Sequence, residues 1–257
     1  MPLLKATGFV LKTRSWGEGD KLATFFTREK GKIFGVVRGA RKPKSHWGGA
    51  LEPMTLLDLM VYEKGGRHTL TQCQIVKSFR TLRQPGISGS TALFLTELVD
   101  KLTTEEDPNP EAFNQLELAL SALESGFPPL SVSLSFTLKF LNLLGFWPLM
   151  DVCASCGKRI EGGMFTFNPK SGGLICPDCQ GLLSGNVSLG ERTINRIKIL
   201  LHSTYPELRD QAEDLELNEL LLSFLRSQLG METSKVKTFL EKLEKEQNWG
   251  NFPNSLR

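Results

Sequence analysis

The chain has 257 residues, of which 40% are hydrophobic and 23% charged, and a net charge of +3. This length supports a substantial core and more than one domain, while its longest apolar runs fall short of the roughly 18 residues that a membrane span needs. The start MPLLKATGFVLKTRSWGEGD alternates apolar and polar residues rather than building a signal-peptide core, so the expectation is a cytoplasmic protein with no membrane attachment.

The small net charge conceals an asymmetry. Residues 1–83 carry sixteen Lys and Arg against six Asp and Glu, and the remainder carries fifteen against twenty-two. Clustering of this kind favours a polyanion partner for the basic part over a merely solvated surface.

The first eighty residues read as strands. ATGFVLKTRSW alternates in part and is followed by the turn GEGD; KLATFFTRE, the turn KG at 30–31, and KIFGVVRGA come next. TLLDLMVYE, the turn KGGRH and TLTQCQIVKSF complete five short strands with hairpin-spaced turn signals. Five strands in about eighty residues predict a small β-barrel, of the OB-fold or SH3-like kind, and strand spacing alone does not separate the two.

The stretch RGARKPKSHWGG at 38–49 interrupts that barrel between its third and fourth strands. Arg38, Arg41, Lys42 and Lys44 place four cations within seven residues, and glycines and a proline argue against regular structure. A loop of this composition can follow a phosphate backbone without reading bases. The expected nucleic-acid-binding face comprises these four residues and Trp47, with Lys12, Arg14, Lys30 and Lys32 from neighbouring strands and turns. Trp16 and Trp47 both lie in predicted loops beside charge, and each either stacks on bases or caps the barrel.

Beyond RQPGISGS at 83–90 the periodicity becomes helical. Leu93, Phe94, Leu98 and Leu102 recur at threes and fours, and EAFNQLELALSALES places Phe113, Leu116, Leu120 and Leu123 on one face. SVSLSFTLKFLNLLGF is too short and too rich in Ser and Thr for a membrane span and reads as a buried central helix. ERTINRIKILLH, LELNELLLSFLRSQLG and SKVKTFLEKLEKE supply later helices. The expected division is a barrel domain over 1–83, an α-helical domain over 84–150 and 186–247, and an insertion over 151–185.

That insertion holds two C-x2-C pairs, Cys153 with Cys156 and Cys176 with Cys179, separated by nineteen residues. The spacing matches a four-thiolate zinc site, in which each pair forms a tight knuckle around one ion. MFTFNPKSGGLIC between the pairs reads as a β-hairpin, so the expected unit is a four-cysteine zinc ribbon with one structural zinc ion. Four thiolates leave no open coordination position for catalysis. No Walker A sequence, hydrolytic triad or carboxylate cluster suited to a two-metal nuclease is visible, and a binding protein rather than an enzyme is expected.

The segment GEGDKLATFFTREKGKIFGVVRGARKPKSHWGGALEP at 17–53 resembles the RecO family of bacterial recombination mediators. The likeness lies in the G-E-x-D turn, the K-G turn, the G-x-R-x-x-x-S loop and the G-x-L-x-P stretch. LLGFWPLMDVCASCG and CPDCQG resemble the zinc-bearing region of that family. The resemblance implies an N-terminal OB-fold, a helical domain and an inserted zinc ribbon. It also implies binding of single- and double-stranded DNA and annealing of complementary strands. With RecR as partner, such a protein helps RecA replace single-stranded-DNA-binding protein, working at the bacterial nucleoid. The competing readings from the residues alone are a zinc-ribbon RNA-binding adaptor of transcription or translation, and a nuclease.

Overall fold

A computed structural model describes residues 3–43, 45, 47–160, 165–211 and 213–230. They form two compact units that divide between Gly126 and Phe127.

The first unit begins with five strands: β1 (Leu3–Trp16), β2 (Asp20–Thr27), β3 (Gly31–Val37), β4 (Leu56–Lys64) and β5 (Arg67–Lys77). They close into a barrel in the order β1-β2-β3-β5-β4, with β1 returning to β4. Every pair is antiparallel except β3 with β5. This order, with its parallel junction, is that of the OB-fold and settles the alternative left open by strand spacing. β1 serves two neighbours, pairing with β4 over Leu3–Phe9 and with β2 over Gly8–Trp16. A bulge between Val10 and Lys12 bends it from one to the other.

Alternation puts Val10, Ala23, Phe25, Ile33, Val37, Leu57, Leu59, Val61 and Leu70 inside the barrel. The β3–β4 connection sends Trp47, Ala50 and Leu51, around a 3-10 turn at Gly48–Leu51, into the same core. Two helices follow, α1 (Ile87–Leu102) and α2 (Pro110–Glu124). Asn109 caps α2 by accepting the Ala112 N–H at 2.9 Å, ahead of Pro110 in the first turn. Phe113 of α2 packs on Phe9 and Phe26, which are paired across β1 and β2, with ring centroids at 5.1 and 5.9 Å. This cover is why β2 is buried on both faces from Ala23 to Thr27. Gly31 opens β3 at φ +64°, and a Cβ there would lie 2.2 Å from the Asp107 carbonyl oxygen.

The second unit is built on α3 (Pro129–Leu143), whose side chains from Leu130 to Leu138 are all buried. No helix among the described residues is long and apolar enough to cross a membrane. A hairpin of β6 (Phe165–Asn168) and β7 (Gly173–Ile175) leads to a one-turn helix, α4 (Pro177–Gln180). β8 (Val187–Leu189) pairs on the other side of β6, making a three-stranded sheet. α5 (Glu191–His202) and α6 (Glu213–Leu229) pack on α3 and on each other. Arg196 of α5 is 6% exposed; its Nε donates to Asp214 Oδ1 at 2.6 Å and its Nη2 to the Arg209 carbonyl at 2.7 Å and to Ser131 Oγ at 3.1 Å. The helix expected over SKVKTFLEKLEKE lies outside the described residues.

Candidate nucleic-acid face and metal centre

The cations expected on one surface are distributed over three environments. Lys12 forms an ion pair with Asp100 of α1 at 2.5 Å. Lys32 is 8% exposed, and its ammonium donates to the Asp100 carbonyl at 2.7 Å. Burial pushes the Lys32 ammonium below its ordinary range, against the upward pull of Asp100. Lys32 is a structural donor between barrel and helix and offers nothing to a phosphate.

Lys30 is exposed in the β2–β3 turn. That turn lies one length of β2, about 25 Å at 3.3 Å per residue, from the turn joining β1 to β2. The remaining described cations gather at the β1–β2 end. Arg14 and Trp16 end β1, Lys21 begins β2, and Arg38, Arg41 and Lys42 follow β3. Lys44 lies outside the described residues.

The basic loop is held in place there. Asp20 Oδ1 accepts the Gly39 N–H at 2.8 Å, the Gly19 carbonyl accepts the Arg41 N–H at 2.9 Å, and the Gly17 carbonyl accepts Arg41 Nη1 at 3.1 Å. The turn that separates β1 and β2 therefore serves as a seat for the loop. No signal in the loop's own sequence marks Asp20 as its anchor. Trp47 is 5% exposed and donates its indole N–H to the Arg38 carbonyl at 2.9 Å. It caps the barrel and has no face free for a base. Trp16 is 47% exposed, with the Arg14 guanidinium 5.7 Å from its ring centroid. Among the described residues, Arg14, Lys21, Arg38, Arg41 and Lys42 enter no ion pair.

In the second unit the four cysteines converge as their spacing predicts. Cys153 and Cys156 lie in the turn before the hairpin; Cys176 and Cys179 flank the start of α4. All four Sγ atoms lie within 4.8 Å of one another, and Cys156 and Cys176 are 3.7 Å apart. A tetrahedral ion with Zn–S bonds of about 2.3 Å sets its sulfurs about 3.8 Å apart, so this donor set fits one tetrahedral metal. Gly157 takes φ +75° and donates its N–H to the Cys153 carbonyl at 2.8 Å, closing the first knuckle. The Cys176 N–H points at the Cys153 sulfur at 3.3 Å. Burial pushes the Cys153 thiol up, but N–H groups of Cys176, Cys156 and Ser155 outweigh it and bring the thiol down to about 6. Hydrogen bonding with the Cys176 sulfur pushes the Cys179 thiol up to about 12. Cys73, the fifth cysteine, is half-buried in β5 of the first unit.

Two family models cover this architecture: Recombination protein O N terminal over residues 1–79, and Recombination protein O C terminal over residues 86–237. The chain belongs to the RecO family. It is 30% identical over 248 residues to the DNA repair protein RecO of Caldanaerobacter subterraneus subsp. tengcongensis, an alignment covering 95% of this chain and 99% of the relative. To the DNA repair protein RecO of Anaeromyxobacter sp. (strain K) it is 31% identical over 249 residues, covering 95% and 98%. That of Bacillus pumilus (strain SAFR-032) is 34% identical over 177 residues, covering 69% and 68%. RecO membership places the chain in DNA repair and recombination.

Proposed function

We propose that this chain is a recombination mediator that binds single- and double-stranded DNA at the β1–β2 end of its barrel and anneals complementary strands. With RecR as partner it helps load RecA onto DNA covered by single-stranded-DNA-binding protein, as a cytoplasmic, nucleoid-associated protein. The observation that carries this reading is the gathering of Arg14, Lys21, Arg38, Arg41 and Lys42, none in an ion pair among the described residues, around exposed Trp16. Phosphates pair with the cations irrespective of sequence, and an aromatic face supports an unstacked base.

The proposed metal is zinc, held by Cys153, Cys156, Cys176 and Cys179. Bound there, it supplies a covalent-strength cross-link between the two knuckles and no open position for chemistry.

The test of DNA binding is the triple variant Arg38→Ala, Arg41→Ala, Lys42→Ala, titrated with single-stranded oligonucleotides across a salt series. The slope of log affinity against log salt should shrink by about 0.7 for every phosphate that the variant no longer neutralises. The weakening should be similar for oligonucleotides of different sequence. A triple variant that binds and anneals like the wild type would remove this surface from the proposal.

A further inference from the structure

β3 meets β5 over only three residue pairs, Gly35–Val37 against His68–Leu70. β5 then continues from Thr71 to Lys77 paired with β4 alone. Among the described residues, β3 has no register partner on β5 beyond Leu70. Thr71, Gln72, Gln74, Ile75 and Val76 are exposed, the last two at 44% and 52%. Edge strands are ordinarily guarded by charges, prolines or bulges; residues 71–76 contain no charge and no proline, and the two bulges of β5, at Thr71 and Val76, leave Gln72–Ile75 in regular register between them.

Beside this edge, on the outer face of β1, β4 and β5, lies a groove of about 620 Å³ lined by Lys5, Thr7, Glu29, Asp58, Met60 and Gln74 among others. Thr7, Asp58 and Gln74 form one cross-strand row. The Thr7 hydroxyl donates to Asp58 Oδ1 and the Thr7 N–H to Glu29 Oε2, each at 2.9 Å. Both carboxylates are exposed, and among the described residues neither enters an ion pair. Two carboxylates against the single ammonium of Lys5 give the groove an acidic character within a basic barrel.

We propose that the open edge of β5 accepts an extended segment of a partner protein as an added strand, with a Lys or Arg of that segment opposite Gln74. Main-chain hydrogen bonds to an edge supply affinity, and side chains alternating onto the sheet face supply selectivity. A residue opposite Gln74 continues the row that runs through Asp58 to Thr7. Two strand spacings, about 10 Å, separate it from Asp58, a gap that a long cationic stem and the Asp58 side chain bridge together. Glu29 and Asp58 repel an acidic segment, and equally a phosphate backbone, so this surface is separate from the proposed DNA face.

The test uses the full-length chain and two short synthetic peptides, one alternating Val with Arg and the other Val with Glu. Fluorescence anisotropy and amide NMR shifts are read at about 0.15 M salt, where exposed charges are screened beyond about 8 Å. The Val/Arg peptide should saturate and shift the amides of residues 71–77, while the Val/Glu peptide should not bind. The double variant Asp58→Asn, Glu29→Gln should weaken the Val/Arg peptide about fivefold. Gln74→Lys, at an exposed position that carries no packing, should weaken it as well. Equal binding of both peptides, shifts confined to other residues, or unchanged affinity in both variants overturns the proposal. So does sedimentation of the wild type as a dimer with protected 71–77 amides, which would assign the edge to a second copy of the chain. None of these readouts involves DNA, so the proposal stands or falls independently of the mediator reading.

Discussion

Trp47 and Trp16 have similar neighbours in sequence, cations and glycines, and opposite positions in the fold. Trp47 fills the barrel end, and Trp47→Ala should cost about 3–5 kcal/mol in urea unfolding, as for other large aromatic truncations in a core. Trp16→Ala should leave stability within about 0.5 kcal/mol and weaken single-stranded DNA binding by about 1–3 kcal/mol, the contribution of one stacked base. An unchanged affinity would remove Trp16 from the binding face. Gly31→Ala meets both a left-handed φ and the Asp107 backbone at 2.2 Å; it should lower stability by about 2 kcal/mol or more, read from the same unfolding curves. These outcomes rest on neighbours distant in sequence. Lys32 alternates in KIFGVV as an outward residue should, and its burial follows from the arrival of Asp100 and of the Glu105–Glu106 segment. The fate of Lys12 has the same cause. Local pattern identifies which side of a strand a residue faces, and says nothing of what comes to cover that side.

At the scale of elements the strands, the hairpin between the cysteine pairs and the helices were legible, because period-two alternation, period-3.6 spacing and turn glycines are local signals. β8 was not, since three residues carry no period and the strand exists because β6 has a free side. The basic loop reads as flexible from its glycines and proline, yet Asp20 and the carbonyls of Gly17 and Gly19 fix it. Its cations are thereby presented with less ordering cost than a free loop would incur. In the cysteine element, all four ligands were legible from spacing, and the metal's retention should depend on pH in a stated direction. The Cys153 thiol sits at about 6, below its ordinary 9.0, so the fold favours the thiolate. That advantage is complete above about pH 9 and is lost as pH falls through about 6. Dialysis against a mild chelator over a pH series should show metal content falling as pH falls, because protons compete with the metal for all four thiols, and Cys153→Ser should lower it at every pH. In the helical unit, Asp214→Ala leaves the buried Arg196 without its carboxylate and should cost about 3–5 kcal/mol, measured by thermal unfolding.

Over the whole molecule, the basic surplus of residues 1–83 is partly answered within the chain. Residues 84–126 hold eight Asp and Glu against one Lys. Asp100, Glu117 and Glu124 of α1 and α2 pair with Lys12, Arg28 and Lys77 of the barrel segment. The composition shift that points to a polyanion is therefore in part a record of packing between barrel and helices; among the described residues that enter no ion pair, Arg14, Lys21, Arg38, Arg41 and Lys42 gather at the β1–β2 end. Neutralising the helix acids together (Asp100→Asn, Glu117→Gln, Glu124→Gln) should release three cations and strengthen DNA binding at low salt. The gain should fade as salt rises past about 0.15 M, because it is a screened, long-range effect. An affinity that does not move at low salt would mean that the helix-covered side of the barrel is remote from the DNA path.

The division of β1 between two neighbours also has a consequence for the timing of synthesis. Its second half finds β2 within a few residues, so the β1–β2–β3 meander becomes available as soon as residue 37 has emerged from the ribosome. Its first half must wait for β4, and Phe9 and Phe26 must wait for Phe113. At about 5–20 residues per second, some seventy further residues mean several seconds in which a paired, phenylalanine-bearing sheet face stands uncovered. A nascent chain stalled between residues 40 and 110 is the form of this protein most exposed to aggregation.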